Sequence, residues 1–207
     1  PELEADVKRA PDPLIAAAAT AIAANVIDLG AKSDLSEGQV YAALRESAHA
    51  AVHGDFALLR ERVAGAAEIL YLADNAGEIA IDRLLIEALG PERVTLAVRG
   101  RAVINDATLV DAREVGLYEM VRVIDNGSDA PGTILEDCST AFRERFHEVD
   151  LIISKGQGNY ETLSEIDGEI FFLLKVKCPV IAKHIGLPVG TPAAVYSSRA
   201  SGRKADP

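Results

Sequence analysis

The sequence predicts an α/β protein: a three-layer α/β/α domain on a mostly parallel, doubly wound sheet, preceded by a helical cap. Three observations carry this. From residue 68 onward, short apolar runs alternate with segments of helical length, the pattern of a parallel sheet covered by helices on both faces. The apolar runs are continuous rather than alternating, as strands buried on both sides require. Before residue 68 no strand signal occurs and the spacing of apolar residues is helical. The chain thus divides into a cap over 1–67, an α/β domain over 68–190 and a tail over 191–207.

In the cap, Asp12 can cap a helix, Pro13 suits its first position, the Ala-rich stretch Leu14–Ile27 fills it and Gly30 ends it. Ser36–Val52 and Asp55–Ala67 are two further predicted helices, each opening on a capping residue and separated by Gly54. Five predicted strands follow: Ile69–Ala73, Val94–Val98, Val121–Ile124, Leu151–Ser154 and Val180–Ala182. Helices are predicted between them, over Glu78–Leu89, Asp106–Leu117, Thr133–Phe146 and Tyr160–Val176. In the third of these, Ile134, Leu135, Cys138, Ala141, Phe142 and Phe146 mark an apolar stripe. Beyond Pro188 little remains to bury, so the ending reads as a tail.

Composition narrows the function classes. Of 207 residues, 49% are hydrophobic and 26% charged, the balance of a folded globular chain. A net charge of −11 argues against nucleic acid as a partner, because binding it requires clustered Lys and Arg. No apolar run reaches the roughly 18 residues of a membrane span, and the opening Pro1-Glu2-Leu3-Glu4 lacks the basic start of a signal peptide. Cys138 and Cys178 form neither a disulfide framework nor a zinc knuckle, so a reducing, cytoplasmic compartment is expected. The chain has no initiating Met, and what precedes Pro1 is open.

Open α/β sheets bind ligands at the carboxyl ends of their strands. Those positions carry Asp74-Asn75-Ala76-Gly77-Glu78, then Arg99-Gly100-Arg101 with Asn105-Asp106, then Asp125-Asn126-Gly127-Ser128-Asp129, and then Lys155-Gly156-Gln157-Gly158-Asn159. Carboxylate and amide oxygens are hard donors suited to Mg²⁺ or Mn²⁺. Asp74 and Asn75 are neighbours at one strand tip, and Asp106 stands at the equivalent edge of the next unit. The alternative for Asp74 and Asp106 is helix N-capping. The glycines after Lys155 let backbone approach an anion, although a plain left-handed turn explains them equally. This loop is not a dinucleotide fingerprint, since the last glycine would fall at Glu161, and no P-loop occurs. His49 and His53 share helical spacing but lack the glutamate of a zinc-protease helix, no G-x-S-x-G elbow exists, and Cys138 belongs to an apolar stripe. Asn25 and Asp28, three apart, share one face of the cap helix and either point into a cleft or cap its solvated end.

Taken together, these segments resemble the metal-dependent damage-control phosphatases. That family, long catalogued as domain of unknown function eighty-nine, includes a protein named as an acidic-residue methyltransferase. The match rests on Asp74–Glu78, Asn105–Thr108, Asn126–Thr133, Lys155–Glu161, Asn25–Asp28 and Cys178–Ala182, in family order over about residues 12 to 190, and is closest to the small stand-alone prokaryotic members. The resemblance implies hydrolysis of small phosphate monoesters, sugar phosphates or damaged phosphometabolites. It implies a divalent metal, Mn²⁺ or Mg²⁺ with Co²⁺ or Ni²⁺ as options, held by Asp74, Asn75 and Asp106, with Asp74, Asp106 and Lys155 as the catalytic set. Phosphate contacts would come from Lys155 and the glycines beside it, Gly156 among them, and further substrate contacts from Asn25, Asp28, Glu78 and Asn159. Arg99, Asn105 and Asp129 are expected as substrate contacts or supports. The attacking group is a water or an Asp carboxylate, and oligomeric state is left open. Two features depart from the family: the Cys-x-x-Cys of a further N-terminal helical segment is absent, and the ending from Thr191 is unlike it. The competing readings are a methyltransferase using S-adenosylmethionine on carboxylates, with Arg99 standing where a ribose-binding acid belongs, and a non-catalytic phosphometabolite-binding module.

Overall fold

The computed structural model describes residues 2–26, 38, 42, 44, 45 and 52–199. Among these, eight helices surround one seven-stranded sheet. In chain order they are α1 (Glu2–Arg9), α2 (Pro13–Val26), β1 (His53–Gly54), α3 (Phe56–Gly65), β2 (Ile69–Leu72), α4 (Ile79–Leu89), β3 (Val94–Val98) and α5 (Leu109–Glu114). There follow β4 (Arg122–Asp125), α6 (Thr140–Glu148), β5 (Leu151–Lys155), α7 (Gln157–Leu163), β6 (Gly168–Lys175), α8 (Pro179–Ile185) and β7 (Pro192–Arg199). The sheet order is β1-β7-β6-β5-β2-β3-β4, with every neighbouring pair parallel except β6 with β7.

The two faces of the sheet follow the period of two along each strand. Ile69 and Tyr71 of β2, Leu96 of β3, Ile153 of β5 and Phe171 of β6 pack with Ala18 and Ile22 of α2, Leu59 of α3 and Leu85 of α4. Their alternates Leu70, Leu72, Ile152 and Phe172 pack with Phe142 and Phe146 of α6, Tyr160 of α7 and Ile181 of α8. Each fully buried Leu, Ile or Phe contributes about 1.5–3 kcal/mol, and β2, β3, β5 and β6 add residues to both cores. Arg93 joins the first layer, its guanidinium donating to the carbonyls of Val63, Ala66 and Leu89 where α3 and α4 end. No helix among the described residues is long and apolar enough to cross a membrane.

Several sequence expectations are corrected. Tyr160–Val176, expected as one helix, is α7 followed by the interior strand β6: the run Ile170 to Leu174 is buried throughout, and such a run has no periodicity to separate helix from strand. Val180–Ala182, expected as a strand, lies inside α8, which opens with Pro179 at its first turn and leaves Val180 75% exposed. Within the expected tail, residues 192–199 form β7, which buries Ala193 and Ala194 against β6 and pairs with β1. The helix expected from Thr133 begins at Thr140, where Ser139 caps it. The helix expected from Asp106 begins at Leu109 behind a Thr108–Asp111 capping box. Asp55 caps α3 as expected, through Leu58 N at 2.9 Å. A helical piece leads the chain as expected, and its helices α2 and α3 share one core with the sheet. Asp28, His49 and most of the Ser36–Val52 helix fall outside the described residues.

Candidate functional site

The tips of β2 and β3 are stitched together by backbone. Leu72 and Ala97 are register partners. The chain beyond them continues the pairing: Ala73 N donates to Ala97 O, Ala107 N to Asp74 O at 2.7 Å, and Ala76 N to Asn105 O at 2.8 Å, with Asn75 bridged to Asp106. A turn closed by Asp106 N on Val103 O delivers Asp106 to this seam. The expected neighbours therefore meet, and neither acts as a cap, since α4 starts behind Glu78 and α5 behind Thr108.

Four carboxylates and two cations organise the site. Lys155 ends β5, beside β2, and shares its sheet face with Tyr71. Its ammonium donates to Glu78 Oε2 and Asp82 Oδ1, both at 2.7 Å, while wholly buried. Glu78 and Asp82 are four residues apart and so face the same way from α4. Arg99 donates from Nε to Asp106 Oδ2 at 2.6 Å, from Nη1 to Thr133 Oγ1 and from Nη2 to Asn159 Oδ1. Asn159 in turn donates to Ala73 O and Lys155 O, tying the ends of β2 and β5 to that guanidinium. Asn25, from α2, donates to Asp74 Oδ2 at 2.7 Å and Glu78 Oε1 at 2.8 Å, and Asn75 Nδ2 reaches the same two carboxylates.

The cations serve three carboxylates and leave Asp74 with amides alone. Burial pushes Asp74 up to about 7, the charge of Glu78 and then Asp106 adding to it against Lys155 and Asn25. Burial likewise raises Asp82, to about 6, with Glu78 adding and Lys155 opposing. Burial pushes Glu78 up as well, yet the charge and hydrogen bond of Lys155 together with hydrogen bonds from Asn25 and the Asn75 N–H outweigh it and hold Glu78 below the ordinary carboxylate range. Burial opposes the Lys155 charge, and Asp82 with Glu78 overcomes it, holding the ammonium above its usual value. Burial, and then the charge and hydrogen bonding of Asp82, hold the Tyr71 hydroxyl well above its usual value.

Other expected site residues stand differently. The N–H of Gly156 donates to Leu173 O at 3.0 Å, so it is committed to the sheet rather than offered to an anion. Its contribution is room. With φ at +81°, it lies where a Cβ would fall 1.9 Å from Asp74 Oδ2. Lys155, expected to face a phosphate, lies beneath Glu78 and Asp82 instead. Asn105 is exposed and joins the seam through its carbonyl, and Asp129 is exposed with Arg101 at 3.8 Å. Asp82 was missed, although its spacing from Glu78 just after a strand tip is visible in the sequence. A cavity of about 440 Å³ lined by Arg93, Thr95, Tyr118 and Arg145 opens at the amino-terminal ends of β3 and β4, the opposite end of the sheet.

The donor set suits a hard cation. Among the described residues no three His, Cys, Asp or Glu side chains converge as a metal centre. Two carboxylates and one amide nevertheless meet at the seam, and the buried Asn25 Oδ1 has no hydrogen-bond partner. Few protein oxygens with the remainder from water or phosphate is the shell that Mg²⁺ accepts.

Residues 1–192 match the family model described as the damage-control phosphatase ARMT1-like domain. Over 176 residues the chain is 41% identical to a damage-control phosphatase of Pyrococcus horikoshii, covering 82% of this chain and 60% of that protein. Over 129 residues it is 42% identical to a damage-control phosphatase of Archaeoglobus fulgidus, covering 59% and 44%. An uncharacterized protein of Methanocaldococcus jannaschii is 46% identical over 129 residues, covering 59% and 42%. The chain thus spans 42–60% of the length of these curated relatives. A crystal structure of a DUF89 family protein from P. horikoshii superposes with a TM-score of 0.85 at 36% identity, over 94% of this chain and 70% of that one.

Proposed function

The chain belongs to the damage-control phosphatase ARMT1-like family, and from that premise we propose that it is a phosphatase hydrolysing small phosphate monoesters in the cytoplasm, with a divalent cation, Mn²⁺ or Mg²⁺, held by Asp74, Asn75 and Asp106. The observation that carries this reading is the seam at the tips of β2 and β3, where Asp74 and Asp106 stand side by side and Asp74 has no cation of its own. A cation there supplies Lewis acidity toward a phosphoryl oxygen. The chain's own residues do the holding. Asn25 and Asn75 orient Asp74, Arg99 orients Asp106, and Asn159 ties the end of β2 to that of β5. Lys155 keeps Glu78 ionised, and Glu78 in turn accepts from the amides of Asn25 and Asn75. The attacking group in this reading is a water.

Release of inorganic phosphate from a panel of sugar phosphates, with Mn²⁺, Mg²⁺, Co²⁺, Ni²⁺ or EDTA, tests it. We expect cation-dependent release abolished by EDTA, and a loss of about 10²–10³-fold or more in Asp74→Asn, the scale of removing one aimed electrostatic group. EDTA-insensitive turnover, or an Asp74→Asn variant as active as the parent, overturns the reading. Tight phosphate-ester binding with no release would make the chain a binding module, and an acid-stable phosphoenzyme would make an Asp the nucleophile.

A further inference from the structure

We propose that Ile104 is a specificity-determining residue that packs against the apolar part of the substrate beyond its phosphoryl group; this rests on the phosphatase reading above. Ile104 is the single non-glycine residue with positive φ among the described residues, at +49°. A β-branched side chain in the left-handed region crowds its own backbone, and Gly or Asn would sit there at less cost. Its side chain is also 84% exposed, the highest value among the exposed large hydrophobic residues described. Nothing in folding favours either feature, and a strained residue beside a site points to a role there. The place is specific. Ile104 occupies the turn closed by Asp106 N on Val103 O, immediately before Asn105, whose carbonyl accepts from Ala76 N, and two residues before Asp106. Ile104 thereby stands exposed in the turn that delivers Asp106 to its seam with Asp74 and Asn75. The site's polar groups suit a phosphoryl group, and Ile104 suits the carbon face of its ester.

The test compares p-nitrophenyl phosphate, which has an aryl group, with methyl phosphate, which has almost no apolar surface, in the parent, Ile104→Asn and Ile104→Val. For Ile104→Asn we expect KM for the aryl ester to rise about tenfold, the worth of partly burying an isoleucine, with kcat and the methyl ester little changed. Its Tm should rise by roughly 2–4 °C as strain is relieved. Ile104→Val, which keeps an apolar branched side chain, should match the parent. Equal losses in kcat on both esters would mean that the residue only shapes the turn carrying Asp106, and would overturn the proposal. An unchanged KM ratio would do the same while leaving the phosphatase reading intact. A parent that hydrolyses sugar phosphates but neither of these esters overturns this proposal alone, and one that hydrolyses none of them defeats both.

Discussion

Lys155 carries its charge where no solvent reaches it, and two carboxylates make that tolerable. Removing one partner of a buried ion pair strands the other, at about 3–5 kcal/mol. Lys155→Met should therefore lose about that much in urea denaturation at pH 7. The sign with pH follows. Without the ammonium, Glu78 and Asp82 titrate above their unfolded values, so the native state binds protons more readily and the deficit shrinks as pH falls from 7 toward 5. An equal deficit at both pH values would contradict this. Cys138 offers a second check, because burial pushes its thiol up to about 11 against the pull of Arg99. It should alkylate far more slowly than the less buried Cys178 at pH 8, measured on native protein by mass spectrometry. Its raised value also means that the stability it contributes is intact below the unfolded thiol range and is lost as pH climbs toward 11. The chemical types at the site were readable at this scale: Asp74, Asn75 and Asp106 announce oxygen chemistry from the sequence. That Lys155 would face inward toward Asp82 was not, because direction depends on which sheet face β5 turns toward α4.

At the scale of the element, the junction of β5 with α7 decides whether Asp74 can sit where it does. Gly156 is required twice, once for its φ of +81° and once for the space that Asp74 fills. Gly156→Ala should displace that carboxylate and cost more than about 10²-fold in phosphate release, the penalty of roughly an ångström of misplacement. Stability should fall by about 1 kcal/mol or more, while circular dichroism stays that of an α/β protein. Normal activity in this variant would show that Asp74 needs no such cradle. Element type was legible where a short apolar run ends in a polar loop, as at β2, β3 and β5, or where a cap is explicit, as at Asp55 and α3. It failed where burial on both sides erased periodicity, as in β6, and where three apolar residues had to be classified without context, as in α8.

At the scale of the molecule, β7 closes the sheet by pairing with both β6 and β1. Ending the chain before Pro192 would expose the full edge of β6, with Phe171 and Leu173 on one face and Phe172 and Leu174 on the other. An apolar, unpaired edge recruits other chains, so the truncated protein should elute as aggregates in size-exclusion chromatography where the full chain does not. Recovery of a soluble species matching the full chain's elution would show that β7 is dispensable. By itself the sequence determined the alternation of strands and helices, the oxygen-rich strand tips and the family they mark, because these depend on local order and residue type. The tertiary structure alone decided that β2, β3 and β5 lie side by side, that neither Lys155 nor Arg99 pairs with Asp74, and that Ile104 takes a left-handed φ two residues before Asp106. Those facts depend on which distant segments share an edge, and strand neighbours in a doubly wound sheet are chosen by packing across both faces rather than by proximity along the chain.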